Sequence, residues 1–159
     1  MKKVCLWISV LLWAALIFGF SAQSKEASGE ISSGISRKLV SAVTDMDENS
    51  RQSPVREERI EFSRHMKKTT MLVRKSAHVL LFLVLGALVL QLVGCYITKK
   101  WKILAFTLLF CLIYAVGDEI HQAFVPGRAC LSLDVFIDFC GSLAGCLIMT
   151  LAGKIRKGV

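Results

Sequence analysis

The sequence is poor in the features that mark most soluble domains and most metal or redox sites. Its 159 residues include two prolines, three histidines and two tyrosines. Both prolines, Pro54 and Pro126, fall outside the long apolar stretches, so proline interrupts none of these. Those stretches are nearly free of charge, while hydrophobic residues reach 54% of the chain and the mean hydropathy is +0.56. A soluble globular class is excluded by that distribution. Period-2 alternation of apolar and polar residues is absent, which argues against a transmembrane β-barrel. Aromatic and basic residues are not interleaved, so the net charge of +8 gives no support for nucleic-acid binding. The six cysteines show no metal-site spacing, and Cys5, Cys95, Cys111, Cys140 and Cys146 lie within or beside apolar stretches. They read as small apolar side chains rather than a disulfide framework, with Cys130 alone in a loop.

What is present is four apolar runs, at about residues 4–21, 77–97, 102–122 and 134–152. A helix needs about 20 mostly apolar residues to cross a bilayer core. The chain is therefore expected to be a single all-α membrane domain, residues 1–159. Its core is a bundle of four transmembrane helices, with a long helical or partly disordered outer loop at about 24–76. The first run also has the basic start and the small residues of a cleavable signal peptide, Ala22-Gln23-Ser24 included. Its length, with Trp7, Trp13 and Phe18, favours a retained span.

Orientation follows from the short flanks. Lys2, Lys3, Lys99, Lys100, Lys102, Lys154, Arg156 and Lys157 all fall on one side if both termini are cytoplasmic. The short connection on the other side carries only Arg128. In the outer loop, Ile31, Ile35, Leu39 and Val43 recur four apart, an amphipathic helical stripe. Residues 46–54 read as a turn or linker. Ser53-Pro54 then offers an N-cap and a first-turn proline for a second helix over 55–68. The loop is expected either to lie in the membrane interface or to be solvated and mobile.

Polar residues gather at one end of the spans. Arg74, Lys75 and His78 open span two, Asp118 to Gln122 close span three, and Asp134 and Asp138 open span four. The segment 20–23 at the end of span one reaches the same depth. The four acidic residues outside the loop all belong to this set. A charged group in mid-membrane costs roughly 2.5–3.5 kcal/mol on insertion scales, so such residues face protein or water and have partners. Asp134, Asp138, Gly141 and Gly145 share one helical stripe, and "GSLAG" (141–145) is a GxxxG pattern that permits close helix approach. Tyr114, Asp118, His121 and Gln122 share a face, with Glu119 pointing elsewhere. His78, Phe82 and Gly86 share another. These faces predict an outward-opening polar pocket above tightly packed helices.

Several chemistries fit such a set. The carboxylates could pair with Arg74, Lys75 or Arg128 and only hold the bundle together. A metal site of Asp, Glu and His is not expected, because "DEIH" (118–121) is not HExxH and no two histidines have ligand spacing. No cofactor is expected. Ser132 and Cys130 lie in no recognisable nucleophile elbow. General acid-base work by His121, Asp118 or Asp134 stays open. Residues 125–128, "VPGR", read as a tight turn that aims the Arg128 fork over the pocket, where it suits a carboxylate or phosphate.

Four segments carry a family resemblance: "IFGFSAQ" (17–23), "RKSAHVLLFLVLGAL" (74–88), "DEIHQAFVPGR" (118–128) and "DVFIDFCGSLAG" (134–145). In order and spacing the chain resembles the VanZ-like family of bacterial membrane proteins. The resemblance implies a multi-span protein of the cytoplasmic membrane. The family's name member is linked to low-level resistance to teicoplanin, a lipid-tailed glycopeptide. No reaction, cofactor or catalytic residue is implied. The family's polar positions fall on Lys75, His78, Asp118, Glu119, His121, Gln122, Arg128, Asp134 and Asp138. The expected partners are membrane lipids and a lipid-linked cell-wall component or lipoglycopeptide. The expected function is binding or modifying such a molecule. A membrane hydrolase or transferase, or a scaffold whose charges are structural, are the alternatives.

Overall fold

A computed structural model describes residues 1–22, 25–43, 56–125 and 132–153. Among these the chain is helical and forms no strand. The helices are α1 (Lys2–Ser21), α2 (Lys25–Val43), α3 (Arg56–Gly94), α4 (Lys100–Ala123) and α5 (Ser132–Leu151). Helices α1, α3, α4 and α5 are long and apolar enough to cross a membrane. The protein is therefore a multi-pass helical membrane protein, as the four apolar runs predict. The chain forms two compact units, Ser24–Ala77 and Met1–Gln23 with His78–Val159.

In the larger unit, each side chain's position follows from the absence of water in the bilayer. Large apolar residues such as Leu11, Leu12, Leu109, Ile113 and Ile148 stay exposed on the protein's surface, the side that lipid covers. The interior is built from Val10 and Ile17 on α1, Phe82, Leu85, Val89 and Leu92 on α3, and Cys111 and Ala115 on α4. A second cluster joins Leu90, Ile103 and Cys146 across α3, α4 and α5. Two helix hydroxyls are satisfied locally: Thr150 donates to the Cys146 carbonyl at 2.7 Å and Ser9 to the Cys5 carbonyl at 2.9 Å. The buried Thr107 hydroxyl, by contrast, has no hydrogen-bond partner among the described residues.

Apolar burial cannot hold helices together in lipid, so close approach and buried hydrogen bonds must do so. Helices α3 and α5 run parallel and meet through glycine. A Cβ at Gly141 would stand 2.6 Å from the Val79 carbonyl oxygen, and one at Gly145 would overlap the Leu83 carbonyl. On the facing helix, a Cβ at Gly86 would overlap the backbone of Ser142. Thus the GxxxG stripe read from the sequence is the α3–α5 contact. Helices α1 and α4 are joined by Tyr114, whose hydroxyl donates to the Ala14 carbonyl at 2.7 Å. The Trp13 indole N–H reaches the Leu81 carbonyl at 2.8 Å and ties α1 to α3.

The end of this unit near residues 1–7 and 95–102 is aromatic and basic. Trp7 donates to the Tyr96 hydroxyl at 3.0 Å, and the Lys3 ammonium lies 4.9 Å from the centre of the Tyr96 ring. Lys102 sits over Trp101 at 5.5 Å. Aromatic residues of this kind mark a membrane–water boundary.

The smaller unit contains α2 and the first part of α3. Two details differ from the sequence reading. The helix expected over 55–68 does not stop before the second span: it continues unbroken to Gly94 as part of a 39-residue α3. Residues 56–85 contain neither proline nor glycine, so nothing ends the helix there. Also, α2 buries Ser36 and Val40, whereas Ile35 and Leu39 of the predicted apolar stripe stay exposed. The buried face lies about a quarter turn from that stripe. The predicted linker and the Ser53-Pro54 cap fall outside the described residues.

Candidate functional site

At the end opposite the aromatic and basic residues, four helices contribute polar side chains. Ser21 is in the last turn of α1, His78 is on α3, Asp118 and Gln122 close α4, and Asp138 is on the second turn of α5. Ser21, Asp118, Gln122 and Asp138 are all buried, the two carboxylates to 5% and 3% exposure. Such burial requires partners, and Asp118 has two. The Ser21 hydroxyl and the Gln122 amide both donate to Asp118 Oδ2 at 2.7 Å. The same amide also reaches the Ser21 oxygen at 3.3 Å, closing a three-residue network between α1 and α4.

The other Asp118 oxygen, Oδ1, is enclosed and has no hydrogen-bond partner among the described residues. On the far side of the cluster, His78 Nδ1 stands 3.7 Å from Asp138 Oδ2, an ion-pair distance beyond hydrogen-bond reach. Ser142 sits one turn below and donates to the Asp138 carbonyl at 3.3 Å. One ligating atom from each of His78, Asp118 and Asp138 lies within 4.8 Å of the others. These three residues come from three different helices and are separated by 40 and 20 positions in the chain.

The remaining predicted site residues are placed as follows. His121 leaves the Asp118 network and stacks its ring on Phe18, with centroids 4.1 Å apart. Its Nε2 is enclosed and has no hydrogen-bond partner among the described residues. Glu119, expected to point away from the shared face of α4, is nevertheless buried at 3% exposure. Asp134 is half-buried in the first turn of α5, where the helix dipole favours a negative charge. Lys75 is half-buried and belongs to the smaller unit. Arg128 and the "VPGR" turn from Pro126 onward lie outside the described residues.

Sequence reasoning placed residues 20–23 at this depth but did not single out Ser21, the donor that anchors Asp118. It also left out Phe18, which supports His121. Their signal was present in "FGFS" (18–21): Phe18 and Ser21 are three apart, on one helical face.

These features define a four-span helical membrane protein with an enclosed carboxylate–imidazole cluster at one end of the bundle. The family profile described as VanZ/LLP1 matches residues 6–153, and the chain belongs to that family. No curated protein and no solved structure matches it.

Proposed function

We propose that the protein is a bacterial cell-envelope protein that binds the polar head of an amphiphile at the cluster end of its bundle. The molecule would be a lipid-linked cell-wall component or a lipoglycopeptide of the teicoplanin type. The observation that carries this reading is unused hydrogen-bonding capacity. Asp118 Oδ1 and His121 Nε2 are enclosed without hydrogen-bond partners among the described residues. A hydroxyl or amine of a head group would satisfy both. Arg128 would engage anionic oxygens, Glu119 and Asp134 would border the head, and the exposed apolar helix faces would hold the tail. The basic and aromatic end formed by Lys3, Tyr96, Trp101 and Lys102 supports a cytoplasmic side there, and so an outward-facing cluster.

The test is Asp118→Asn and His121→Ala at normal protein level, read as teicoplanin susceptibility and as binding of the lipid-linked wall precursor in detergent. Loss of both supports the reading, and unchanged susceptibility with unchanged binding overturns it. A second reading, a hydrolase or transferase acting on the same lipid, is favoured by the His121 imidazole, whose Nε2 has no partner among the described residues and is of the type that serves in general acid-base catalysis. It predicts turnover in detergent that His121→Ala abolishes, whereas a binding protein shows affinity without turnover.

A further inference from the structure

Local spacing argues against a metal, since "DEIH" (118–121) is not HExxH and no two histidines have ligand spacing. The folded chain brings together what spacing could not show. We propose that His78, Asp118 and Asp138 form a site for one divalent transition-metal cation, Zn2+ or Mn2+, that takes mixed imidazole and carboxylate ligands.

Geometry is the first argument. The three ligating atoms lie within 4.8 Å of one another, each on a different helix. A four-coordinate ion with bonds near 2.1 Å sets its ligands about 3.4 Å apart. Closing the trio therefore shortens its longest separations by up to about 1.4 Å, within the reach of side-chain rotation. His78 Nδ1 and Asp138 Oδ2 stand 3.7 Å apart, longer than a well-formed hydrogen bond and close to the spacing an ion would impose.

Charge is the second. Two carboxylates with 5% and 3% exposure face one imidazole. Two negative charges this close repel each other, and one imidazole cannot offset both. A divalent ion neutralises both.

The third argument is independent of the cluster's acidity. Ser21 and Gln122 hold Asp118 through Oδ2 alone, while Oδ1 is buried without a partner among the described residues. A carboxylate oriented by two donors, with its second oxygen open, is the arrangement that outer-shell residues impose on a metal ligand. The donor set of one nitrogen and two carboxylates, without thiolate, suits Zn2+ or Mn2+ better than Mg2+ or Ca2+. Three protein ligands leave a position open for water or for a phosphate oxygen. The inference thus deepens the head-group reading with one change: Asp118 Oδ1 binds the ion, the ion takes a head-group oxygen as its fourth ligand, and His121 Nε2 stays free for the head group.

The full chain is purified in detergent, stripped with chelator, and equilibrated with Zn2+ or Mn2+. About one ion per chain is expected by elemental analysis. His78→Gln and Asp138→Asn are expected to weaken binding at least tenfold, while Glu61→Gln, on the exposed part of α3, retains it. Pulsed electron paramagnetic resonance of bound Mn2+ is expected to show one imidazole nitrogen coupled to the metal. That signature decides the matter even where a variant fails to fold. No stoichiometric ion, no nitrogen coupling, or equal binding by folded His78→Gln protein overturns the site. If metal binds but the lipid precursor does not, the head-group reading alone fails. If lipid binds equally in chelator, the metal is not its anchor and that link is overturned.

Discussion

The hydroxyl of Ser21 donates to Asp118 Oδ2 at 2.7 Å, joining residues 97 positions apart at the same end of the bundle. The bond explains how an acidic residue is tolerated in a membrane helix: the carboxylate is solvated by the neighbouring helix instead of by water. The Gln122 amide, from within α4 itself, adds a second donor to the same oxygen.

Removing either donor leaves buried polar capacity unfilled. Ser21→Ala and Gln122→Ala are each expected to cost about 1–3 kcal/mol of stability. Because both act on one oxygen and on each other, the double variant is expected to depart from additivity by about 0.5 kcal/mol or more. Unfolding in detergent, followed by circular dichroism, measures all three.

Glycine at 145 is a matter of space. Gly145→Ala places a methyl group against the Leu83 carbonyl, and the resulting separation of α3 and α5 is expected to cost about 1–3 kcal/mol. Gly19, also helical, has nothing within 4 Å of the same added atom. Gly19→Ala is therefore expected to be neutral or to stabilise α1 by about 0.5–1 kcal/mol through helix propensity. Equal effects of the two changes on the unfolding midpoint would contradict the close contact.

Tyr114 and Trp13 each link two helices through a backbone carbonyl. Tyr114→Phe and Trp13→Phe are expected to cost about 0.5–1.5 kcal/mol each for the lost bond, with Trp13→Phe higher because ring volume is lost too. The same unfolding measurement checks both.

Much of this architecture was legible because bilayer thickness and helix rise constrain the same quantity. Spans read at about 77–97 and 134–152 correspond to the apolar part of α3 and to α5, Ser132–Leu151. The glycine stripe on α5 was legible too, since periodicity along one helix needs no knowledge of its neighbour. What stayed hidden depends on rotation between helices. The sequence puts Ser21, His78, Asp118 and Asp138 at one depth, but only packing decides that Ser21 meets Asp118 and His78 meets Asp138. The exposed Ile35 and buried Ser36 of α2 make the same point. Apolar spacing identifies a helix, yet near a membrane it does not decide which side faces protein, because lipid competes for the apolar face.

Sidedness has a direct chemical test. Cys130 belongs to the connection between α4 and α5, at the cluster end. An impermeant thiol reagent applied to intact cells is expected to label the chain, and Cys130→Ser is expected to remove that label. Labelling only after lysis would reverse the proposed orientation.

The parallel contact between α3 and α5 also sets an order of assembly. Gly141 and Gly145 meet Val79 and Leu83, residues made about sixty positions earlier, after α4 has already crossed back between them in the chain. Until that last helix arrives, His78 lacks Asp138, and the groove over Gly86 is open to lipid. A ribosome releasing this chain therefore completes the hydrophobic seal and the polar cluster in one step, so a product that stops before α5 presents the cell with an unfinished surface recognisable as such.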